Sequence, residues 1–137
     1  ARALGYDGVS AKSCKGLYKS VSNAGRCQAW GGGLFMSGED LTTQAGLSVQ
    51  QDLALASLIG ISHVERNGHH YVNGMSGVPE AEQDAFLTAH PDMYRREDGV
   101  VRLRITDGRI AIGSLACNGF AAAAEPDWSA MREMPDG

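Results

Sequence analysis

Three short stretches of this chain carry the residue types that move protons. Gly5 to Gly16 contains Lys12, Gly38-Glu39-Asp40 contains two adjacent acids, and Glu65 to His70 contains an acid, an amide and two imidazoles. A lysine on a buried strand is chemically distinctive, because a desolvated ammonium is costly unless it is paired or gives up its proton. Either outcome makes it an acid/base candidate. A lysine at a strand end with its head in water does no chemistry, and Lys12 taken alone leaves both readings open. Adjacent acids in a loop are ordinarily solvated, so Glu39 and Asp40 acquire meaning only from their position. His69 and His70 invite a metal reading. Neighbouring side chains on a strand point apart, however, so one ion seldom takes both, and a polar or aromatic-packed loop wall is the preferred reading.

The elements that must position these residues are legible as alternating strands and helices. Gly5 to Gly16 reads as a short strand, a glycine and then a helix. On the strand, Ser10, Lys12 and Cys14 share one face and Val9, Ala11 and Ser13 the other. Lys15 falls opposite Lys12 and is assigned a structural role. A helix follows with Leu17, Val21, Ala24 and Gln28 on one stripe, and Gly31-Gly32-Gly33 ends it. That glycine run lacks the helix-opening pattern of a nucleotide-binding fingerprint. Leu34 to Ser37 is the next strand, so Glu39 and Asp40 stand at its carboxyl end, where α/β folds place ligands. Ser48-Val49-Gln50-Gln51 fits a capping box. Behind it come Val49, Leu53 and Ala56 on a stripe, and Gly60 as the expected stop. Ile61 to Glu65 is the third strand, with Ile61, His63, Glu65 and Asn67 on one face. Strand, helix, strand, helix, strand with these connections predicts a parallel sheet.

The second half reads differently. Pro79 suits the first turn of a helix, with Glu80 and Glu82 near its positive end, running to about His90 before Pro91. Val100 to Ile105 and Arg109 to Ile112 flank Thr106-Asp107-Gly108, which predicts a hairpin. Ala121 to Ala124 and Pro126-Asp127-Trp128 read as a surface tail docked by Trp128 and Met131. No internal repeat is seen. The expected organisation is 1–75 for the three strands with their helices and 76–137 for the helix, hairpin and tail.

Composition narrows the function classes. The chain has 137 residues, 43% hydrophobic and 20% charged, which suits a folded domain with a core. A net charge of −4 without a basic stripe argues against nucleic acid. No apolar run reaches membrane-spanning length. The three cysteines are far apart and have no zinc spacing, so free thiols and a cytoplasmic location are expected. Ala-Arg-Ala-Leu-Gly at the start reads as the end of a helix, so the chain is expected to be a piece of a longer protein.

Taken in order, these stretches resemble the last part of the barrel of an enolase-superfamily enzyme, in the mandelate racemase/muconate lactonizing group that includes the dipeptide epimerases. Val9-Ser10-Ala11-Lys12 with Lys15-Gly16 resembles the sixth barrel strand with its acid/base lysine. Phe35-Met36-Ser37-Gly38-Glu39 resembles the seventh, which ends in a glutamate. Val64-Glu65-Arg66-Asn67-Gly68 resembles the eighth, whose acidic residues touch substrate. Gly99 to Ser114 resembles the closing segment that returns to the capping domain. Two departures stand out. Cys14-Lys15-Gly16 supplies one glycine where two are usual, and Glu65 and Asn67 replace the two aspartates of some relatives.

The resemblance implies a fold and a chemistry. The fold is α/β: the last three βα strands of a TIM-type barrel plus a C-terminal segment with a β-hairpin. The chemistry is removal of a proton alpha to a carboxylate, as in a racemase, epimerase, dehydratase or lactonizing enzyme. Lys12 and Glu39 would be catalytic. Glu65, Asn67 and His69 would bind the substrate, a small carboxylate. Charge developing on the substrate calls for a fixed cation. The family's Mg2+ ligands and its second lysine lie on earlier strands, so the complete enzyme would need the N-terminal part missing here, and a homo-oligomer is expected. Two other readings remain: a non-catalytic binding or assembly module using unpaired sheet edges, and a lyase using Lys12 as a Schiff-base nucleophile.

Overall fold

Helical and extended segments alternate through the first half of the chain, as the apolar spacing predicts, but the extended segments are very short. The computed structural model describes residues 2–41, 45–131 and 133, with the side chain of His69 left out. The protein is mixed α/β, with three two-stranded sheets among the described residues and no closed barrel. Strand β1 (Gly8–Ala11) leads through a 3-10 turn, Ser13–Lys15, into helix α1 (Leu17–Trp30). Strand β2 (Phe35–Gly38) then pairs parallel with β1, Gly8 opposite Phe35 and Ala11 opposite Gly38. Helix α2 (Leu47–Leu58) follows.

The third strand is reduced to a single parallel bridge between Gly38 and Val64. Gly38 N–H donates to the His63 carbonyl at 2.8 Å, and its own carbonyl accepts from Glu65 N–H at 2.9 Å. Flanking commitments stop the ladder there. Ile61 N–H is tied back to the Ala56 carbonyl at the end of α2, and Asn67 N–H is taken by the Asp40 carboxylate. The predicted alternation therefore fails: Ile61 and Val64 both pack inward, while His63 and Glu65 are exposed.

Two helix readings need correction. The side chains of α1 that turn inward are Ser20, Asn23, Ala24 and Cys27, whereas Leu17, Val21 and Gln28 of the predicted stripe are exposed. Tyr18 and Trp30 are exposed beside them. The capping box at Ser48 and Gln51 does not form. Gly46 is the cap of α2, at φ 97°, and no side chain of the cap caps it. The entrance is held from a distance instead. The Tyr94 hydroxyl accepts from Gly46 N–H at 3.1 Å and from Gln50 Nε2 at 3.0 Å.

Tyr94 opens the second half's main structure. Helix α3 (Glu80–Ala89) starts immediately after Pro79 and leads into strand β3 (Tyr94–Glu97). Strand β3 pairs antiparallel with β4 (Val100–Leu103) around Asp98-Gly99. The expected hairpin around Asp107-Gly108 also forms, as β5 (Ile105–Thr106) against β6 (Arg109–Ile110). Val100 to Leu103 thus belongs to a different hairpin from the one anticipated. Both turns put an aspartate and a glycine at positive φ, 50° and 77° for the first, 50° and 71° for the second. That backbone matches the right-handed twist of paired strands.

The principal core gathers Val49 and Leu53 of α2, Met75, Phe86 of α3, Met93, Tyr94, Val101 and Leu103. Ala121 and Ala124 are buried in it as well, so the segment expected to be a surface tail contributes two residues to the core. Trp128 and Met131, the residues expected to dock it, are exposed. Asp127 N–H instead donates to Glu82 at 2.9 Å. A smaller cluster of Ala11, Ala56 and Ile61 seals the helix side of β1. At the amino end, Arg2–Leu4 is a single 3-10 turn closed by Gly5 N–H on the Arg2 carbonyl.

Two measurements test this core. Tyr94→Phe leaves Gly46 N–H and the buried Gln50 amide without their acceptor, and should cost about 1–3 kcal/mol in urea unfolding. His90 is fully buried, with Nδ1 3.0 Å from Ser114 Oγ, and burial holds its pKa below the ordinary imidazole value. The unfolded chain therefore takes up a proton before the folded one does. Stability should be complete above the ordinary histidine pKa of about 6.5 and fall as pH drops below it. His90→Gln should flatten that slope.

Candidate active site

The carboxyl ends of β1 and β2 lie side by side because the two strands are parallel and in register. Ser10 pairs with Ser37 and Ala11 with Gly38, and Glu39 N–H donates to the Ala11 carbonyl at 2.9 Å. This sets Ser10, Lys12 and Glu39 on one face, opposite the Ala11 cluster. Lys12 Nζ lies 3.4 Å from Glu39 Oε1, with 18% of the lysine side chain exposed and 34% of the glutamate. Lys12 is thus neither sealed in the protein nor free in solvent. Ser10 Oγ donates to Glu39 Oε2 at 3.2 Å.

Lys15 reaches the same carboxylate, which corrects its assignment to the opposite face. The strand ends at Ala11, and the following 3-10 turn swings Lys15 back over β2. That turn is fixed from α2, where the buried Asp52 carboxylate accepts Ser13 N–H at 2.8 Å. The Lys15 hydrogen bond is the largest cause of a lowered Glu39 pKa, with the two ammonium charges adding to it. Glu39 is held as a carboxylate between two cations.

Asp40, one residue further, is not the solvated loop acid that its setting suggested. It is buried and ion-paired with the buried Arg66, and it accepts Asn67 N–H at 2.7 Å. Asp40 N–H is 3.4 Å from Glu65 Oε2, and Asn67 Nδ2 donates to Glu65 Oε1 at 3.0 Å. The structure therefore brings the predicted residues together as two linked groups. Lys12 and Glu39 form one, and Glu65 and Asn67 the other, with Asp40 anchoring the second group to the end of β2. The side chain of His69 lies outside the described residues. His70 is exposed and meets the Tyr71 ring edge-on.

Sequence reasoning missed Ser10, Lys15, Asp40 and Asp52 as members of this site. The usable signal was that Asp40 and Arg66 each follow a glutamate at a strand end, so pairing β2 with the third segment brings them together. Among the described residues, no three His, Cys, Asp or Glu side chains are grouped to hold a metal ion. The magnesium implied by the resemblance thus has no ligand set in the described part of this chain. No described helix is long and apolar enough to cross a membrane. Comparison with models of protein families, with curated protein sequences and with solved structures finds no significant match.

The Asp40–Arg66 pair gives this site its own test. Asp40→Ala leaves a buried guanidinium without its carboxylate, which should destabilise the chain by about 3–5 kcal/mol in chemical denaturation. Glu39→Gln, at the partly exposed pair beside it, should leave the unfolding midpoint nearly unchanged.

Proposed function

We propose that this chain carries the last strand ends of an enolase-superfamily barrel, and that Lys12 transfers a proton at the carbon alpha to a substrate carboxylate. One observation carries the reading: Lys12 meets Glu39 across the carboxyl ends of two parallel strands. Active sites of α/β folds lie at such ends. Glu39 holds the ammonium at the mouth of the sheet, and Lys15 keeps Glu39 ionised for that task. In the forward direction the amine form of Lys12 takes the α-proton. In the return direction the ammonium delivers a proton to the same face of the planar carbanion, so Lys12 alone gives exchange with retention, and racemisation or epimerisation would need a second proton donor on the opposite face, outside this chain. Glu65 and Asn67, joined to each other at the next strand end, would read the distal part of the substrate. The magnesium ligands that the resemblance implies would lie on other strands, and within this chain the proton transfer involves Lys12 and Glu39.

The state of the sheet supports incompleteness. Parallel sheets are normally covered on both faces. Among the described residues β1 pairs on one edge only, and α1 presents Leu17, Tyr18, Val21 and Trp30 to solvent. Preceding βα units of the same protein are the proposed cover. The same open edge favours one alternative, an assembly module without catalysis, and the two readings part on chemistry.

The test is incorporation of solvent deuterium at the α-carbon of a panel of carboxylates. The isolated chain should give none, whereas protein containing the preceding strands should exchange one substrate class. In that protein Lys12→Gln should reduce exchange by roughly 10²–10⁴-fold with the fold intact by circular dichroism. Unchanged exchange in the variant would remove Lys12 from the chemistry.

A further inference from the structure

Most arginines of this chain have a partner. Arg66, Arg95 and Arg96 are ion-paired with Asp40, Glu97 and Asp84. Arg26 donates to Asn23, and Arg2 lies over the Trp30 ring. Among the described residues, Arg102, Arg104 and Arg109 make no such contact. Arg102 is half-buried, with its Nε sealed in the protein. Arg104 and Arg109 are exposed, and both line one cavity of about 310 Å³.

The backbone brings these two residues to the same place. Arg104 N–H donates to the Met93 carbonyl at 2.8 Å, which ties the link between β4 and β5 to the turn that holds Asp92. Thr106 stands directly opposite Arg109 in the β5–β6 ladder, and it lines the cavity as well, beside Ile110 and Ala111. Asp92 is the one acid of the lining. Its carboxylate is engaged elsewhere, since Oδ2 accepts Ser114 N–H at 3.0 Å and Oδ1 is buried. Asp107, in the turn of the same hairpin, does not line the cavity. Two unpaired cations facing one space repel each other, and a bound anion turns that cost into attraction.

The donors select the anion. Each guanidinium offers a planar fork of N–H groups, and the Thr106 hydroxyl adds an O–H. A carboxylate is filled by one fork, whereas a tetrahedral phosphate has oxygens for both forks and the hydroxyl. The volume is at the small end for a ligand site. We propose that Arg104, Arg109 and Thr106 form a binding site for a phosphate group, free or carried on a small molecule. The site is independent of the reading of Lys12. The adjoining cavity shares Arg109 and Ile110 and is lined by Ser57, Gly60 and Ser62. The hairpin therefore stands by the end of α2 and the start of the third segment, away from the strand ends that hold Lys12 and Glu39.

The test is titration of the whole chain with inorganic phosphate at constant ionic strength, followed by amide shifts in 1H–15N spectra, which also report the fold of each variant. Saturating shifts at Asp92 and along Arg104 to Ala111 are expected, with a Kd of about 1 mM or tighter. Arg104→Gln and Arg109→Gln should each weaken binding about tenfold, while Lys12→Gln should bind as the parent does. Acetate at equal concentration should shift these amides little. Phenyl phosphate should bind at least as well as inorganic phosphate, and a tighter Kd would assign the site to phosphate esters rather than the free ion. Shifts that rise without saturating would overturn the proposal, as would binding unchanged in both arginine variants. Equal response to acetate would overturn the choice of phosphate. Shifts centred on Lys12 and Lys15, and lost in Lys12→Gln, would move the anion to the strand ends and overturn the hairpin site.

Discussion

Gly38 is hydrogen-bonded into two neighbours at once, and the candidate site depends on that arrangement. On one side it stands opposite Ala11 in the β1–β2 ladder, and on the other it exchanges both backbone bonds with the chain around Val64. A methyl group at this position would lie 3.1 Å from both Val64 methyls, so the close approach needs glycine or a displaced neighbour. Because Gly38 is the last residue of β2, the bonds it makes also set where the next two residues point. Glu39 goes to the Lys12 face and Asp40 turns toward Arg66. Backbone pairing at one glycine thereby brings Glu39 to Lys12 and Asp40 to Arg66, partners distant in sequence.

The two adjacent acids show how solvent access divides the work. Glu39 is partly exposed and meets two ammonium groups, a pairing that screening by water makes weak and adjustable. Asp40 is sealed with Arg66 and also accepts Asn67 N–H, and there the loss of a partner is costly because water does not replace it. The first arrangement suits a group that must respond to a substrate. The second suits a fastener that holds the end of β2 to the third segment and so keeps Glu65 and Asn67 beside it.

Strand ends were legible because period-two alternation, glycines and turn residues are local signals. They located β1, β2, the hairpin turn at Asp107-Gly108 and the meeting of Lys12 with Glu39. Features set by distant partners were not legible. Ser48 and Gln51 satisfy the local capping pattern, but Tyr94, far along the chain, occupies the entrance of α2 and sets its start at Gly46. The stripe on α1 has helical spacing, yet of its members only Ala24 turns inward, and the short β1–β2 sheet takes Ser20, Asn23 and Cys27 beside it in place of Leu17, Val21 and Gln28. Strand β3 escaped notice because Tyr-Arg-Arg-Glu carries little apolar alternation. The Asp98-Gly99 turn, a second copy of the one recognised at Asp107-Gly108, was the available clue.

The two halves of the chain divide stability and chemistry between them, and their connection explains where strain is tolerated. Helix α2 gives one face to the principal core through Val49 and Leu53, and through Asp52 it fixes the turn that follows Lys12. Tyr94 anchors the start of the same helix from β3. The hairpin of β3 and β4 therefore acts on the lysine through α2. Ala121 enters that core from the far end of the chain, directly after Phe120, and both residues have left-handed backbone geometry. A costly backbone conformation stands there next to the buried Ala121, and the Phe120 ring beside it is left 40% exposed.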